Sequence, residues 1–189
     1  MMKKQITKIV LAVFIAGAVF TSCKKDKPEE PNDNEVITTM TLTFVPVDGG
    51  ATVSYSFDDP DGPGGVAPTQ QEIVLAPTKS YNVTLQLLDK TKTPVADVTV
   101  EVQSESEAHR FYYEPTAGSN ITVAGLNNDG IGVPLGITST WATGAVATGK
   151  IKVTLRHYPG TPPNKAIDDL VSSSKSSTDT EVEFNTKIQ

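Results

Sequence analysis

The sequence predicts an all-β fold, an antiparallel, immunoglobulin-like β-sandwich of about eight or nine strands. Three observations predict it. Apolar residues recur at every second position through most of the chain after Val36, the period of a half-buried strand. Threonine fills much of the alternate face, as its β-branched side chain favours. Clusters of Asp, Asn, Gly and Pro separate the runs at turn spacing.

Met40, Leu42 and Phe44 alternate with Thr39, Thr41 and Thr43. Val53, Tyr55 and Phe57 alternate with Thr52, Ser54 and Ser56. Asp48-Gly49-Gly50 lies between the two runs and predicts a hairpin. Ile73 and Leu75 form a short strand that Pro77 ends. Tyr81, Val83, Leu85 and Leu87 alternate with Asn82, Thr84 and Gln86. Then come His109, Phe111 and Tyr113, followed by Ile121 and Val123, and by Ile137, Ser139 and Trp141. Ile151, Val153, Leu155 and His157 form a further run, and Val182, Phe184 and Ile188 the last.

Pro94 to Ala108 carries two patterns. Val98, Val100 and Val102 alternate as in a strand, while Ala96, Asp97, Glu101, Glu105, Glu107 and Ala108 suit one short acidic helix near 95–108. The β-branched residues tip the reading towards strand. Residues 159–180, rich in Pro, Ser, Lys and Asp, are expected to form a long loop or hairpin excursion.

The N-terminal region reads differently. Lys3, Lys4 and Lys8 precede an apolar stretch from Ile9 to Phe20. That stretch is too short for a membrane-spanning helix, which needs about 20 apolar residues. It reads as an export signal. Ser22 precedes Cys23, the sole cysteine, and Phe20 stands at the third position before it. A small residue before an acyl-accepting cysteine, with an apolar residue at that third position, is a lipoprotein signal. An ordinary signal peptidase prefers a small residue where Phe20 stands. The expected organisation is a signal peptide over 1–22, a lipidated Cys23 with a disordered tether over 23–35, and one β-sandwich domain over 36–189. Residues 24–35 contain no apolar residue except proline, so they have little surface to bury. Two or more acyl chains on Cys23 give stable anchoring. The expected location is the outer membrane, on its periplasmic face or at the cell surface.

Cleavage before Cys23 removes three lysines and no acid, which leaves 13 Lys and Arg against 22 Asp and Glu, a net charge of about −9. Such a chain is poorly suited to nucleic acid, whose phosphates call for clustered Lys and Arg. With Cys23 acylated there is no thiol left for a nucleophile, a thiolate metal site or a disulfide. The sequence holds no GxSxG elbow, no P-loop and no Gly-rich Rossmann turn, and no enzyme is expected.

Three groups of residues are candidates for a site. Asp59-x-Asp61-Gly62 matches the core of many calcium loops, where carboxylates two apart aim at one centre. Asn127-Asn128-Asp129-Gly130 is a weaker version that offers amide oxygens beside Asp129. A calcium ion or another divalent metal is the implied cofactor. No EF-hand glutamate follows, since Gln70 stands at the twelfth position counted from Asp59. The same residues also serve as ordinary hairpin turns. The third group is His109 and His157, each on the apolar register of its strand, with Tyr113 on the face of His109. Together they could line a metal, haem or small-ligand pocket. Each histidine could equally be a satisfied core or rim residue. Trp141 could stack on a sugar or fill the core.

Residues 34–44, 56–65, 107–115, 127–144, 152–160 and 181–189, with the lipidation signal and the charged spacer, resemble a group of Bacteroidota lipoproteins. Some members carry the label "type 1 periplasmic binding fold superfamily protein". That label implies alternating strands and helices in two lobes, whereas the strand periodicity here points to a sandwich. Such lipoproteins often accompany outer-membrane uptake systems. The resemblance therefore implies a non-catalytic binding or accessory module for nutrient or metal uptake. Its expected partners are the membrane, through the lipid, and an outer-membrane receptor. A structural or adhesive surface role is the rival, and a hydrolase the remaining alternative.

Overall fold

A computed structural model describes residues 35–62 and 64–189 of the chain. The expected signal peptide, Cys23 and the tether up to residue 34 lie outside the described residues. The elements run β1 (Thr39–Pro46), β2 (Val53–Asp58), β3 (Thr69–Gln70), β4 (Ile73–Leu75), β5 (Ser80–Asp89), β6 (Ala96–Asp97), α1 (Val98–Ser104), β7 (His109–Pro115), β8 (Ile121–Ala124), β9 (Thr138–Thr143), β10 (Ala147–His157) and β11 (Ser177–Ile188). The strands form two sheets that share one core, so the fold is an all-β sandwich. One sheet has the order β3-β2-β1-β5-β9-β8, with β6 also paired to β5. The other has the order β4-β11-β10-β7. Every pairing is antiparallel except that of β11 with β4. None of the described helices is long and apolar enough to cross a membrane.

Alternation decides what is inside. Met40, Leu42 and Phe44 of β1 are fully buried, as are Leu87 of β5 and Trp141 of β9. Ile151, Val153 and Leu155 of β10, Phe111 of β7 and Phe184 of β11 meet them from the second sheet. Phe44 lies edge-on to Trp141 at 5.1 Å between ring centroids. The Trp141 Nε1–H donates to Ser139 Oγ at 2.9 Å. Trp141 is thus a satisfied core residue and offers no face to a sugar. The hairpin between β1 and β2 turns where expected, with Gly49 and Gly50 at φ 84° and 126°.

Within the 95–108 stretch, Val98–Ser104 is a helix, against the lean towards strand, and only Ala96–Asp97 before it pairs as a strand. Asp97 caps it, its Oδ1 accepting from the Thr99 N–H at 3.0 Å. Val98 and Val102, four residues apart, bury one stripe, while Val100 is 66% exposed. A strand would have put all three valines on one side. The cap and the need to bury only two of them outweigh β-branching.

The sheet β4-β11-β10-β7 positions the site. His157 of β10 pairs directly with His109 of β7 on one side and with Ser177 of β11 on the other. Leu155 pairs with Thr180, but Arg156 pairs with Thr178. Asp179 is therefore the extra residue of a β-bulge. Beyond the bulge, β11 turns its even-numbered residues inward, including Val182, Phe184, Thr186 and Ile188. The bulge breaks that parity and lets Asp179 bury its side chain beside the histidines. Arg156 braces the bulge from outside, donating to Ser176 Oγ at 3.0 Å, to the Ser173 carbonyl at 2.9 Å, and to Thr178 Oγ1. The excursion after β10 thus ends at Ser176, four residues earlier than the sequence pattern suggested.

Candidate functional site

Cross-strand pairing brings His109 and His157 together. Their rings stack with centroids 4.9 Å apart and planes 18° from parallel. The His109 Nδ1–H donates to the Glu105 carbonyl at 3.1 Å, just past the end of α1. This bond leaves the lone pair on Nε2 and aims it at the interior. Two carboxylates face that nitrogen. Asp179 Oδ2 and Glu35 Oε1 each lie 3.8 Å from it. The side chains of His109 and Asp179 are only 2% and 1% exposed, that of Glu35 14%. Glu35 was expected at the end of a disordered tether; it is instead packed against the domain.

The donor atoms form two overlapping triads. His109, His157 and Asp179 each offer an atom within 4.8 Å of the others. Glu35, Glu105 and His109 form the second group on the same criterion. Glu105 is exposed, so it marks the mouth, and the first triad lies further in.

Burial governs the electrostatics. It pushes Asp179 up to about 7, with Arg156 pulling the other way. Burial also pushes Glu35 up to about 8, reinforced by the charges of Glu101, Asp179 and Glu105. Burial lowers His109 to about 4 against the opposing bond to Glu105, and His157 and Lys165 lower it further. Burial lowers His157 as well. The 3.8 Å contacts are therefore not ion pairs at pH 7, because His109 is neutral there. Both oxygens of Asp179 and Oε2 of Glu35 are buried and accept no hydrogen bond among the described residues. Buried acceptors in that state are costly unless a proton or a cation joins them.

The other candidates lie elsewhere. Asp129 is not a calcium ligand: its Oδ2 meets Lys165 Nζ at 2.7 Å with both side chains fully buried. Its Oδ1 accepts from the N–H groups of Ile131 and Val133 at 3.0 and 2.8 Å. Burial works to raise its pKa, but Lys165 and these N–H groups outweigh burial and hold it low. The same ammonium donates to the carbonyls of Ser106 at 2.6 Å and His109 at 2.8 Å. It therefore fixes the backbone that carries His109. Tyr113 is not at the histidines either. Its hydroxyl donates to the Gly136 carbonyl at 2.7 Å and its ring packs edge-on to Trp141. Four residues along a strand separate it from His109 by about 13 Å. Asp59 and Asp61 act in a turn, where Asp61 Oδ2 accepts from the Val66 N–H at 2.8 Å and the Asp59 carbonyl from the Gly62 N–H at 3.0 Å. Neither belongs to a triad of donors among the described residues.

A groove of about 520 Å³ crosses the outer face of the larger sheet beside α1, lined by Thr43, Thr84, Gln86, Asp97 and Thr99 among others. Several of its polar groups are already engaged: Gln86 Nε2 donates to Asp97 Oδ2 at 3.2 Å, and Thr99 Oγ1 accepts from the Leu87 N–H at 2.8 Å. Unmet acceptors converge at the histidines, not in this groove.

Sequence reasoning missed Asp179, Glu35 and Glu105. The alternation of Thr180, Val182 and Phe184 could have extended β11 back towards Ser177. No pattern announces the bulge that turns Asp179 inward. Comparison with protein-family models, with curated proteins and with solved structures yields no significant match.

Proposed function

We propose that the chain is a non-catalytic binding module of the bacterial cell envelope that holds a divalent metal ion through His109, His157 and Asp179. Asp179 carries the reading. It is a 99% buried carboxylate, since only 1% of the side chain is exposed, with both oxygens unpaired among the described residues and a neutral imidazole facing it. Two neutral imidazoles and a carboxylate are the donor set of zinc-like ions. Donors around a tetrahedral ion with ~2.0–2.1 Å bonds lie roughly 3.3 Å apart, so modest side-chain rotations close the triad. The lipidation signal at Cys23 supports a membrane-tethered module. The resemblance to uptake-associated lipoproteins supports metal capture beside an outer-membrane receptor.

Isothermal titration of the chelator-stripped protein with Zn²⁺ tests the metal. One ion per chain is expected, with binding lost in His109→Ala and Asp179→Asn. An unaltered protein that takes up no ion overturns the reading and favours a structural or adhesive role. Labelling with radioactive palmitate tests the anchor, and Cys23→Ala should lose the label.

A further inference from the structure

We infer that Glu35 is the exchangeable fourth ligand of this site, so that the ion it takes is a borderline divalent cation of the zinc class held by two imidazoles and two carboxylates. The inference rests on the metal-binding reading of His109, His157 and Asp179.

The four residues are held in different ways. His109, His157 and Asp179 stand on three adjacent strands in fixed register, with Asp179 set by the bulge. Glu35 stands outside every strand, four residues before β1 begins at Thr39. Ile37 packs against the core, and the nearest backbone hydrogen bond to the sheet is at Thr38. The Thr38 N–H donates to the Leu88 carbonyl at 2.9 Å, and its Oγ1 accepts from the Lys90 N–H at 2.9 Å. Glu35 is thus two residues upstream of the first core-packed side chain and three upstream of the first backbone hydrogen bond to the sheet. That is a lever long enough to swing and short enough to return.

Its carboxylate is aimed like a ligand. Oε1 lies 3.8 Å from His109 Nε2, the same nitrogen that Asp179 faces at the same distance. Oε2 is buried and accepts no hydrogen bond among the described residues. Asp179 supplies an independent sign of a ligand, because a nearly sealed carboxylate with two unmet oxygens points at the same spot. Two carboxylates and two neutral imidazoles balance the charge of a divalent ion in a dry site. The set is poor for calcium, which takes six to eight oxygens. Glu35 also belongs to the outer triad with Glu105 at the mouth. An ion first met there passes inward as Glu35 turns from Glu105 towards Asp179.

Stopped-flow release of Zn²⁺ to a chelating dye, paired with calorimetry, tests this on wild type, Glu35→Gln and Asp179→Asn. Glu35→Gln should still bind one ion, with affinity weaker by at least about 10-fold, since even an outer partner of a metal ligand is worth roughly 10- to 100-fold. Its release should be faster by a similar factor. Asp179→Asn should not bind, while circular dichroism shows it folded. Glu35→Gln with wild-type affinity and release overturns the assignment of Glu35 yet leaves the site standing. Glu35→Gln as inert as Asp179→Asn makes Glu35 a fixed ligand and overturns exchange. Calcium displacing Zn²⁺ at equal concentration overturns the ion class. A wild type that takes no Zn²⁺ defeats the underlying reading as well.

Discussion

Asp179 Oδ2 stands 3.8 Å from His109 Nε2 although β10 lies between their strands. Two strand spacings separate their backbones by about 10 Å. A bulge on β11 and a fixed imidazole tautomer on β7 close that gap. The result is a small pocket of lone pairs at one end of a hydrophobic sandwich. The expectation of a metal site follows from that contact.

The first prediction concerns pH in the chelator-treated protein. Asp179 and Glu35 titrate higher folded than unfolded, because burial penalises their charged forms. A carboxyl of that kind favours the folded state fully below its unfolded pKa, near 4. The benefit drains away as pH rises through about 7 and about 8, the folded values. Burial lowers His109 and His157, which act in the opposite sense until their unfolded pKa near 6.5 is passed, so the melting temperature should fall between pH 6.5 and pH 8.5. Asp179→Asn cannot ionise, so it should lose less over that range and melt at or above wild type at pH 8.5. Saturating Zn²⁺ should reverse the order, since ~100 Kd of ligand adds about 2.7 kcal/mol to the wild type alone. Calorimetric melts at the two pH values decide the matter. A flat profile for the wild type would sink the argument.

Lys165 and Asp129 give a second prediction. Their pair is fully buried, and Lys165 also holds the carbonyls of Ser106 and His109. Lys165→Met strands Asp129 as a lone buried charge, which costs about 3–5 kcal/mol. Urea denaturation should show that loss. Asp129→Asn should destabilise equally in calcium and in a calcium chelator, because the carboxylate serves an ammonium and a loop. Stabilisation of the wild type by calcium that disappears in Asp129→Asn would contradict this.

The strands were legible in the sequence because one face of each must be apolar, and a period of two records that directly. Met40, Leu42, Phe44, Ile151, Val153 and Leu155 declare their face without ambiguity. The histidines were half legible. Their register showed that both point inward, but strand order decides whether two inward residues meet. Residues 48 apart in the chain became direct partners only through the pairing of β7 with β10. Asp179 was not legible at all. It sits on the polar parity of β11 and turns inward only through a backbone irregularity. Asp129 misled for a related reason. Asn, Asp and Gly spell a turn in any loop, and the partner that defines this one, Lys165, lies 36 residues on.

The helix gives a third prediction. Val100 faces water and Val102 is fully buried, two residues apart. Val100→Lys should change stability by no more than about 0.5 kcal/mol, as exposed substitutions do. Val102→Lys drives an ammonium into the core and should prevent stable folding. Were this segment a strand, the two substitutions would be equally damaging. Thermal melts of the two variants separate helix from strand.

Deleting Asp179 is the sharpest test of how the site is built. Leu155 pairs with Thr180, and Arg156 with Thr178. Without the intervening residue these pairs become consecutive, so the ladder runs on without a bulge. Register on both sides is kept, and Ser177 still meets His157. Val182 and Phe184 remain inward, so the core is untouched. The shortened protein should fold, with a melting temperature in chelator at pH 8.5 no lower than that of wild type, because a buried unpaired carboxylate has gone. His109 and His157 should still stack, since β7 and β10 are unaltered. It should nevertheless bind no Zn²⁺, because the one fixed carboxylate has gone and only the two imidazoles and Glu35, which stands outside every strand, remain. Restoring the length with Asp179→Ala should recover the bulge but not the metal. A deletion variant that still binds Zn²⁺ as tightly as the wild type would show that the bulge does not make the site.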